Sequence, residues 1–138
     1  MKDSTLKRRK RQALYALYKK GLEEGKFTSM RDAGRYLCRQ PAPCFYISPE
    51  RASILVGRLL AGNPIDDLHK TQQRMVHKLF TMYKDFLCEH PDTTLSRVSI
   101  MNILVDGPAP EFYMTAGAIR KTLREEIRET KKKYGWGE

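Results

Sequence analysis

An eight-residue segment occurs twice in the chain, and this repeat constrains the fold more than any other feature. Pro-Ala-Pro-Cys-Phe-Tyr-Ile-Ser at positions 41–48 returns as Pro-Ala-Pro-Glu-Phe-Tyr-Met-Thr at 108–115, so five of the eight residues are identical. Upstream, Leu-Tyr-Ala-Leu-Tyr-Lys at 14–19 matches Leu-Phe-Thr-Met-Tyr-Lys at 79–84. The offsets, 67 and 65 residues, are reconciled by one short insertion near Pro91. Two matching blocks in the same order predict an internal duplication in which each copy is one supersecondary unit.

Each copy has the pattern of three helices. In the first copy, apolar residues recur at helical spacing from about 7 to 24, and Pro41 and Pro43 end the second helix because proline lacks a backbone donor. Ser48-Pro49-Glu50 combines an N-cap, a first-turn proline and an acidic residue, the usual start of a helix. The second copy repeats the pattern, with Thr115 as the cap of its third helix.

The two copies are expected to pack on each other, because a three-helix unit of this size buries little surface alone. The predicted fold is therefore all-α: two tandem three-helix units packed into one compact domain with pseudo-two-fold symmetry. The expected divisions are a basic N-terminal arm (1–12), the first repeat (13–62), the second repeat (63–130) and a basic C-terminal tail (131–138). The duplicated Phe-Tyr pairs are interpreted as core wedges, with stacking on nucleobases as the alternative.

Basic residues are concentrated in the first half of the chain. The sequence has 26 Lys and Arg against 16 Asp and Glu, and residues 1–62 carry 14 basic and five acidic side chains. An unbalanced basic cluster is the electrostatic footprint of a polyanionic partner. The candidate nucleic-acid-binding residues form a run before the first repeat, a stripe spaced four apart and a pair spaced seven apart. They are Lys7, Arg8, Arg9, Lys10, Arg11, Arg31, Arg35, Arg39, Arg51 and Arg58.

The leading functional hypothesis is a small non-catalytic DNA-binding protein, regulatory or architectural, that contacts the phosphates of double-stranded DNA. Such contacts release counterions and make binding strongly salt-dependent, without reading sequence. The connection from Gln40 to Ile47 is too long for the turn of a helix-turn-helix, so that motif is not predicted. The alternative is a structural or adaptor module whose partner is another protein.

The chemistry-bearing residues do not form a recognisable catalytic or metal motif. Cys38, Cys44 and Cys88 are odd in number and lack a Cys-x-x-Cys pair, so we expect buried free thiols and no metal or cofactor. The aspartates that a two-metal nuclease would need are scattered, and no glycine-rich loop precedes a Lys-Ser/Thr pair. The prediction is that the chain is not an enzyme.

A membrane-surface role for the basic N-terminus is the alternative to core packing of its apolar residues. Tyr15, Leu17 and Tyr18 match positions of the second copy that have no basic flank, so core packing explains them better. No apolar run is long enough for a membrane span or a signal peptide. The expected location is the cytoplasm, with no membrane partner.

The repeated Pro-Ala-Pro-x-Phe-Tyr-x-Ser/Thr motif, in the stretches 41–60 and 108–123, resembles a segment of small basic proteins. Those proteins are uncharacterised and occur in Bacteroidetes genomes and their phages or mobile elements. The resemblance implies a phage-related or mobile-element setting. It carries over no catalytic residue and no assigned activity.

Overall fold

The computed structural model describes residues 3–134, and it is all-helical as predicted. The six helices are α1 (Asp3–Glu23), α2 (Met30–Leu37), α3 (Pro49–Leu60), α4 (Lys70–Glu89), α5 (Arg97–Val105) and α6 (Ala116–Tyr134). Within residues 3–134 there is no β-strand, only one isolated antiparallel bridge, between Ala42 and Ala109. None of the described helices has the length and apolar character that crossing a membrane requires.

Hydroxyl side chains start four of the helices. The Ser29 hydroxyl accepts from the backbone N–H of Asp32 in α2, and the Ser48 hydroxyl accepts from that of Arg51 in α3. Thr115 caps α6 in the same way, which confirms the predicted cap. Ser96 also caps α5. Each cap satisfies a backbone donor that the first turn leaves unpaired.

The basic run near the N-terminus is helical. Helix α1 begins at Asp3 rather than near residue 7, so residues 3–12 continue directly into the first repeat. Leu6 is only 8% exposed, and its burial holds the first turns of α1 against the protein. At the other end, residues 131–134 form the last turn of α6. Residues 1–2 and 135–138 of the predicted arm and tail lie outside the described residues.

The third helix of each half packs on the other half. Helix α6 contacts α1 and α2, while α3 contacts α4 and α5. Helix α3 is not in close backbone contact with α1 or α2 within residues 3–134. Neither half is therefore a self-contained three-helix bundle, because each would leave the apolar face of its third helix without a partner.

The two copies of the repeated segment meet at the centre of the molecule. Ala42 and Ala109 exchange backbone N–H···O=C bonds of 2.9 and 3.0 Å. Phe45 stacks on Tyr113 with ring centroids 5.9 Å apart, and Tyr46 stacks on Phe112 at 6.0 Å. Phe45, Phe112 and Tyr113 are buried, which confirms the core interpretation for these three, whereas Tyr46 is half-buried.

The prediction that the cysteines are buried was wrong for Cys88. This residue lies near the end of α4 and is exposed, while Cys38 and Cys44 are half-buried, and all three thiols are free. The surface of α4 near Cys88 also exposes Leu87, because α4 extends beyond the helices that cover its first half. No group of three or more metal-ligating side chains occurs among the described residues.

Gly34 is required by the close contact between α2 and α6. A Cβ atom at this position would lie 2.7 Å from the backbone oxygen of Ala116 and 2.9 Å from Cγ of Arg120. The helical preference of alanine over glycine favours Gly34→Ala by roughly 1 kcal/mol, but overpacking against a backbone atom costs about 1–3 kcal/mol. We expect Gly34→Ala to lower the free energy of unfolding, measured by urea denaturation with circular dichroism.

Gly117→Ala is the matched control for this substitution. Its Cβ would meet only Nη2 of Arg120, at an ordinary 3.6 Å. The variant should keep or raise stability, by up to about 1 kcal/mol, because alanine restricts the unfolded chain. Equal stability of the two variants would show that α2 and α6 do not approach as closely as described.

Candidate nucleic-acid interface

Three adjoining cavities form a groove along the first turns of α1. The basic pocket, of about 270 Å³, lies between α1 and the start of α3 and is lined by Lys7, Lys10 and Arg51. The neutral pocket, of about 310 Å³, lies between the starts of α4 and α6 and is lined, apart from Lys10, by residues such as Gln72, Tyr113 and Met114. The third cavity, of about 410 Å³, is lined by Arg8 and Arg11 from α1 and by Glu125 from α6. Lys10 lines all three, so the cavities adjoin one another around its side chain.

Lys10 is a partly buried cation at the centre of the groove. Burial lowers the pKa of its ammonium group, and the neighbouring charge of Lys7 lowers this pKa further. Both effects have the same origin, since removal from water and a nearby like charge each disfavour the protonated form. An anion placed in the groove would offset both.

The side chains of four cations at the groove make no ion pair or hydrogen bond with any described residue: Lys7, Arg8, Lys10 and Arg51. Arg51 acts only at longer range, where its charge is a minor contributor to the lowered pKa of Asp67. Positive charge is thus concentrated at the groove, where Glu125 of the third cavity is the one acidic residue among the described residues that line the three cavities. Such a concentration attracts anions over a distance comparable with the Debye length.

Arg11 and Arg58, also predicted to bind nucleic acid, are engaged within the protein. The Nη2 of Arg11 donates to Glu129 at 2.7 Å, and its Nε lies 2.8 Å from a Glu126 oxygen without the geometry of a hydrogen bond. Arg58 donates through Nη2 to Asp67 at 2.6 Å and to the Pro64 carbonyl oxygen at 2.6 Å. The hydrogen bond from Arg58 is the main cause of the lowered pKa of the Asp67 carboxyl.

The remaining predicted residues lie away from the groove. Arg31 and Arg35 are exposed on α2 and Arg39 is exposed just after it, and none of them lines the three cavities. Arg9 lines a fourth cavity, beside Cys44, which shares Leu6 and Ile47 with the basic pocket. The structure therefore brings together Lys7, Arg8, Lys10, Arg11 and Arg51, and it separates them from the α2 stripe.

Uncharged residues complete the groove, and sequence reasoning did not find them. Tyr46 lines both pockets, and burial is the main reason that the pKa of its phenol is raised to about 12. Tyr113 lines the neutral pocket, has a phenol pKa raised to about 12 chiefly by burial, and has a φ of 57°. A tyrosine in this left-handed region is uncommon and is held by its surroundings. The repeated Phe-Tyr pair was a signal for these positions, but it did not indicate a cavity.

No protein-family model, curated protein or solved structure matches this chain. The proposed function therefore rests on the charges and cavities of the groove.

Replacing Lys10 with methionine is expected to raise stability at neutral pH. A lowered pKa in the folded state means that the charged form of Lys10 opposes folding. The unfolded chain retains its proton up to about the ordinary value of 10.5, so the wild type regains stability as pH rises through the lowered pKa towards 10.5. Thermal unfolding of Lys10→Met and wild type from neutral to alkaline pH measures this difference.

The gap in melting temperature between the two proteins should narrow as pH increases. Tyr46 and Tyr113 titrate in both proteins, so their contribution cancels in the difference. A gap that stays constant with pH, or a less stable variant at neutral pH, would contradict the described environment of Lys10.

Proposed function

We propose that this chain is a small non-catalytic DNA-binding protein, regulatory or architectural, that contacts the phosphates of a duplex with the cations of its groove. The observation that supports this most is the convergence of Lys7, Arg8, Lys10 and Arg51 around adjoining cavities, without an ion-pair partner in the described part of the chain. Helix α1 presents the first three and α3 presents the fourth, so folding arranges the cations before DNA binds.

This arrangement fits phosphate contact better than base reading. Lysine and arginine at the edge of a groove can neutralise phosphates, release counterions and bind regardless of sequence. Arg11 and Arg58 contribute less, because their charges are already balanced by Glu126, Glu129 and Asp67. The expected interface is therefore smaller than the ten residues that the sequence indicates.

The binding test compares two variants with the same change in charge. Lys7→Gln/Arg8→Gln/Arg51→Ala removes three cations from the groove, and Arg31→Gln/Arg35→Gln/Arg39→Gln removes three exposed cations outside it. Fluorescence anisotropy with a labelled duplex at about 50 to 200 mM salt gives the affinity and its salt dependence. We expect the groove variant to bind at least tenfold more weakly, with a salt slope smaller in magnitude by about 3.

The α2 variant should lose less affinity, because only long-range attraction depends on it. The reverse result, with binding lost in the α2 variant and kept in the groove variant, would move the interface to α2. Wild-type protein that binds no duplex at the lower salt would reject the DNA-binding proposal.

We also propose that the two halves arose by internal duplication and are related by a pseudo-two-fold axis. The helix contacts support this, since exchanging the halves converts α6 on α1 and α2 into α3 on α4 and α5. Matching core positions are equally buried: Leu14 and Leu79 are both 0% exposed, as are Val56 and Leu123. The bridge between Ala42 and Ala109 joins matching residues, as a two-fold axis through it would require.

Matching core substitutions test this relationship. Leu14→Ala and Leu79→Ala remove the same side chain from fully buried sites in α1 and α4. Each should cost about 2–5 kcal/mol, with the two values within about 1 kcal/mol of each other. Urea denaturation measures both. Values differing by several kcal/mol would show that the sites are not equivalent.

A protein-interaction module is the second candidate, because α3 and α5 expose large apolar side chains. Ile54 is 61% exposed and Ile103 is 52% exposed, although the two helices pack on each other. Exposed apolar side chains mark a protein contact where they adjoin in one patch, which is the arrangement that this candidate function requires of Ile54 and Ile103. A partner complex that survives both nuclease and high salt, and is lost in Ile54→Ser/Ile103→Ser, would favour this function over DNA binding.

A further inference from the structure

The basic pocket and the neutral pocket are lined by matching positions of the two halves. Under the 65- and 67-residue offsets, Tyr46 of the basic pocket corresponds to Tyr113 of the neutral pocket, and Ser48 corresponds to Thr115. The cations, however, have no charged counterparts. Lys7, Lys10 and Arg51 correspond to Gln72, Met75 and Ala118, all of which line the neutral pocket.

The basic pocket has the chemistry of a phosphoryl-group site. Three cations from two helices surround a cavity, and the pocket has no acidic lining residue among those described. Lysine offers a compact charge and arginine offers a planar pair of donors, both of which suit phosphate oxygens. The pocket is also partly closed by apolar residues such as Leu6 and Leu55, which would strengthen an ionic contact.

The neutral pocket has a different chemistry. The Nδ1 of His69 lies 3.2 Å from the backbone nitrogen of Thr71 and 2.9 Å from the Thr71 hydroxyl oxygen, so the imidazole is held at the edge of the pocket. Gln72 adds an amide with donors and an acceptor, and Tyr113 and Met114 add apolar surface. Apart from Lys10, which it shares with the basic pocket, this cavity combines hydrogen-bonding groups with apolar walls, and such a lining suits a polar ring better than a second anion.

We propose that the groove binds one nucleotide unit, with its phosphoryl group against Lys7, Lys10 and Arg51 and its nucleoside in the neutral pocket. Lys10, Tyr46, Gln72 and Met75 line both pockets, so the pockets are adjacent and a ligand with two parts would place one part in each. Volumes of about 270 and 310 Å³ place the combined site in the range of small-ligand pockets.

This inference rests on the proposed function because it uses the same cations. It adds a defined ligand and an orientation for that ligand, with the phosphoryl group in the basic pocket and the nucleoside in the neutral pocket. Duplex binding needs only charge along the groove edge, whereas the nucleotide site needs both pockets. The nucleotide can come from the 5′-phosphorylated end of a strand or from a free nucleoside monophosphate. The experiment therefore includes both sources.

Calorimetric titration of the full chain with five probes tests the site. The probes are inorganic phosphate, a nucleoside, the corresponding nucleoside 5′-monophosphate, and a short single strand with and without a 5′-phosphate. The monophosphate should bind at least tenfold more tightly than either phosphate or nucleoside, because it fills both pockets. If the strand is the source, its 5′-phosphate should raise affinity by a similar factor; if the free nucleotide is the source, only the monophosphate should show the gain.

The variants use residues that the second half already accommodates. Lys7→Gln/Lys10→Met/Arg51→Ala gives the basic pocket the residues of the neutral one. We expect it to reduce monophosphate affinity at least tenfold, to that of the nucleoside. Gln72→Lys is the reciprocal variant. It should weaken nucleoside binding and strengthen binding of inorganic phosphate.

Two outcomes would overturn the inference. Monophosphate that binds no more tightly than inorganic phosphate would show that the neutral pocket takes no nucleoside. Undiminished monophosphate binding by the three-residue variant would place the phosphoryl group elsewhere. If the proposed function is correct, the wild-type protein still shows salt-dependent duplex binding under either outcome. If the wild type instead binds monophosphate as expected but binds no duplex, the proposed function is rejected and the nucleotide site is kept.

Discussion

The exchange of third helices between the two halves is the constraint on which the rest of the structure depends. Helix α3 buries its apolar face on α4 and α5, and α6 buries its own on α1 and α2. Neither half can complete its core without the other. The central contact, where Ala42 pairs with Ala109 and two aromatic pairs stack, holds the segments from which both third helices start.

The groove is a consequence of this exchange. Helix α6 lies along α1, and the segment before α3 lies beside the first turns of α1, so the basic run borders cavities formed by both halves. The chain places cations on one side of this junction only. Lys10 borders both the basic and the neutral pocket, but of these two pockets only the basic one is also bordered by Lys7 and Arg51, so two pockets with related walls differ in charge. That difference gives the groove a direction and is the basis of the nucleotide proposal.

Charge in this protein is divided between internal balance and external availability. Arg11 and Arg58 are held by carboxylates at 2.6 to 2.8 Å, whereas Lys7 and Lys10 face each other's charge in a partly closed space. Where such an ion pair is exposed, as for Asp67 with Arg58, it contributes little to stability, with a median of about 0–1 kcal/mol. The burial of Lys10 beside Lys7 disfavours the folded state, and an anion bound between the two cations would reduce that unfavourable energy.

The sequence alone predicted the helices and their approximate boundaries, because apolar spacing, hydroxyl caps and prolines act within a few residues. It also predicted correctly that Phe45 and Phe112, which occupy the same position in the two copies of the repeated segment, lie in the core. It could not determine which arginines were free, because the partners of Arg11 are more than 100 residues away. It misplaced Cys88, whose exposure depends on how far other helices cover α4. The exchange of third helices and the groove became visible only in the three-dimensional structure, because both arise from contacts between the halves that no local sequence pattern specifies.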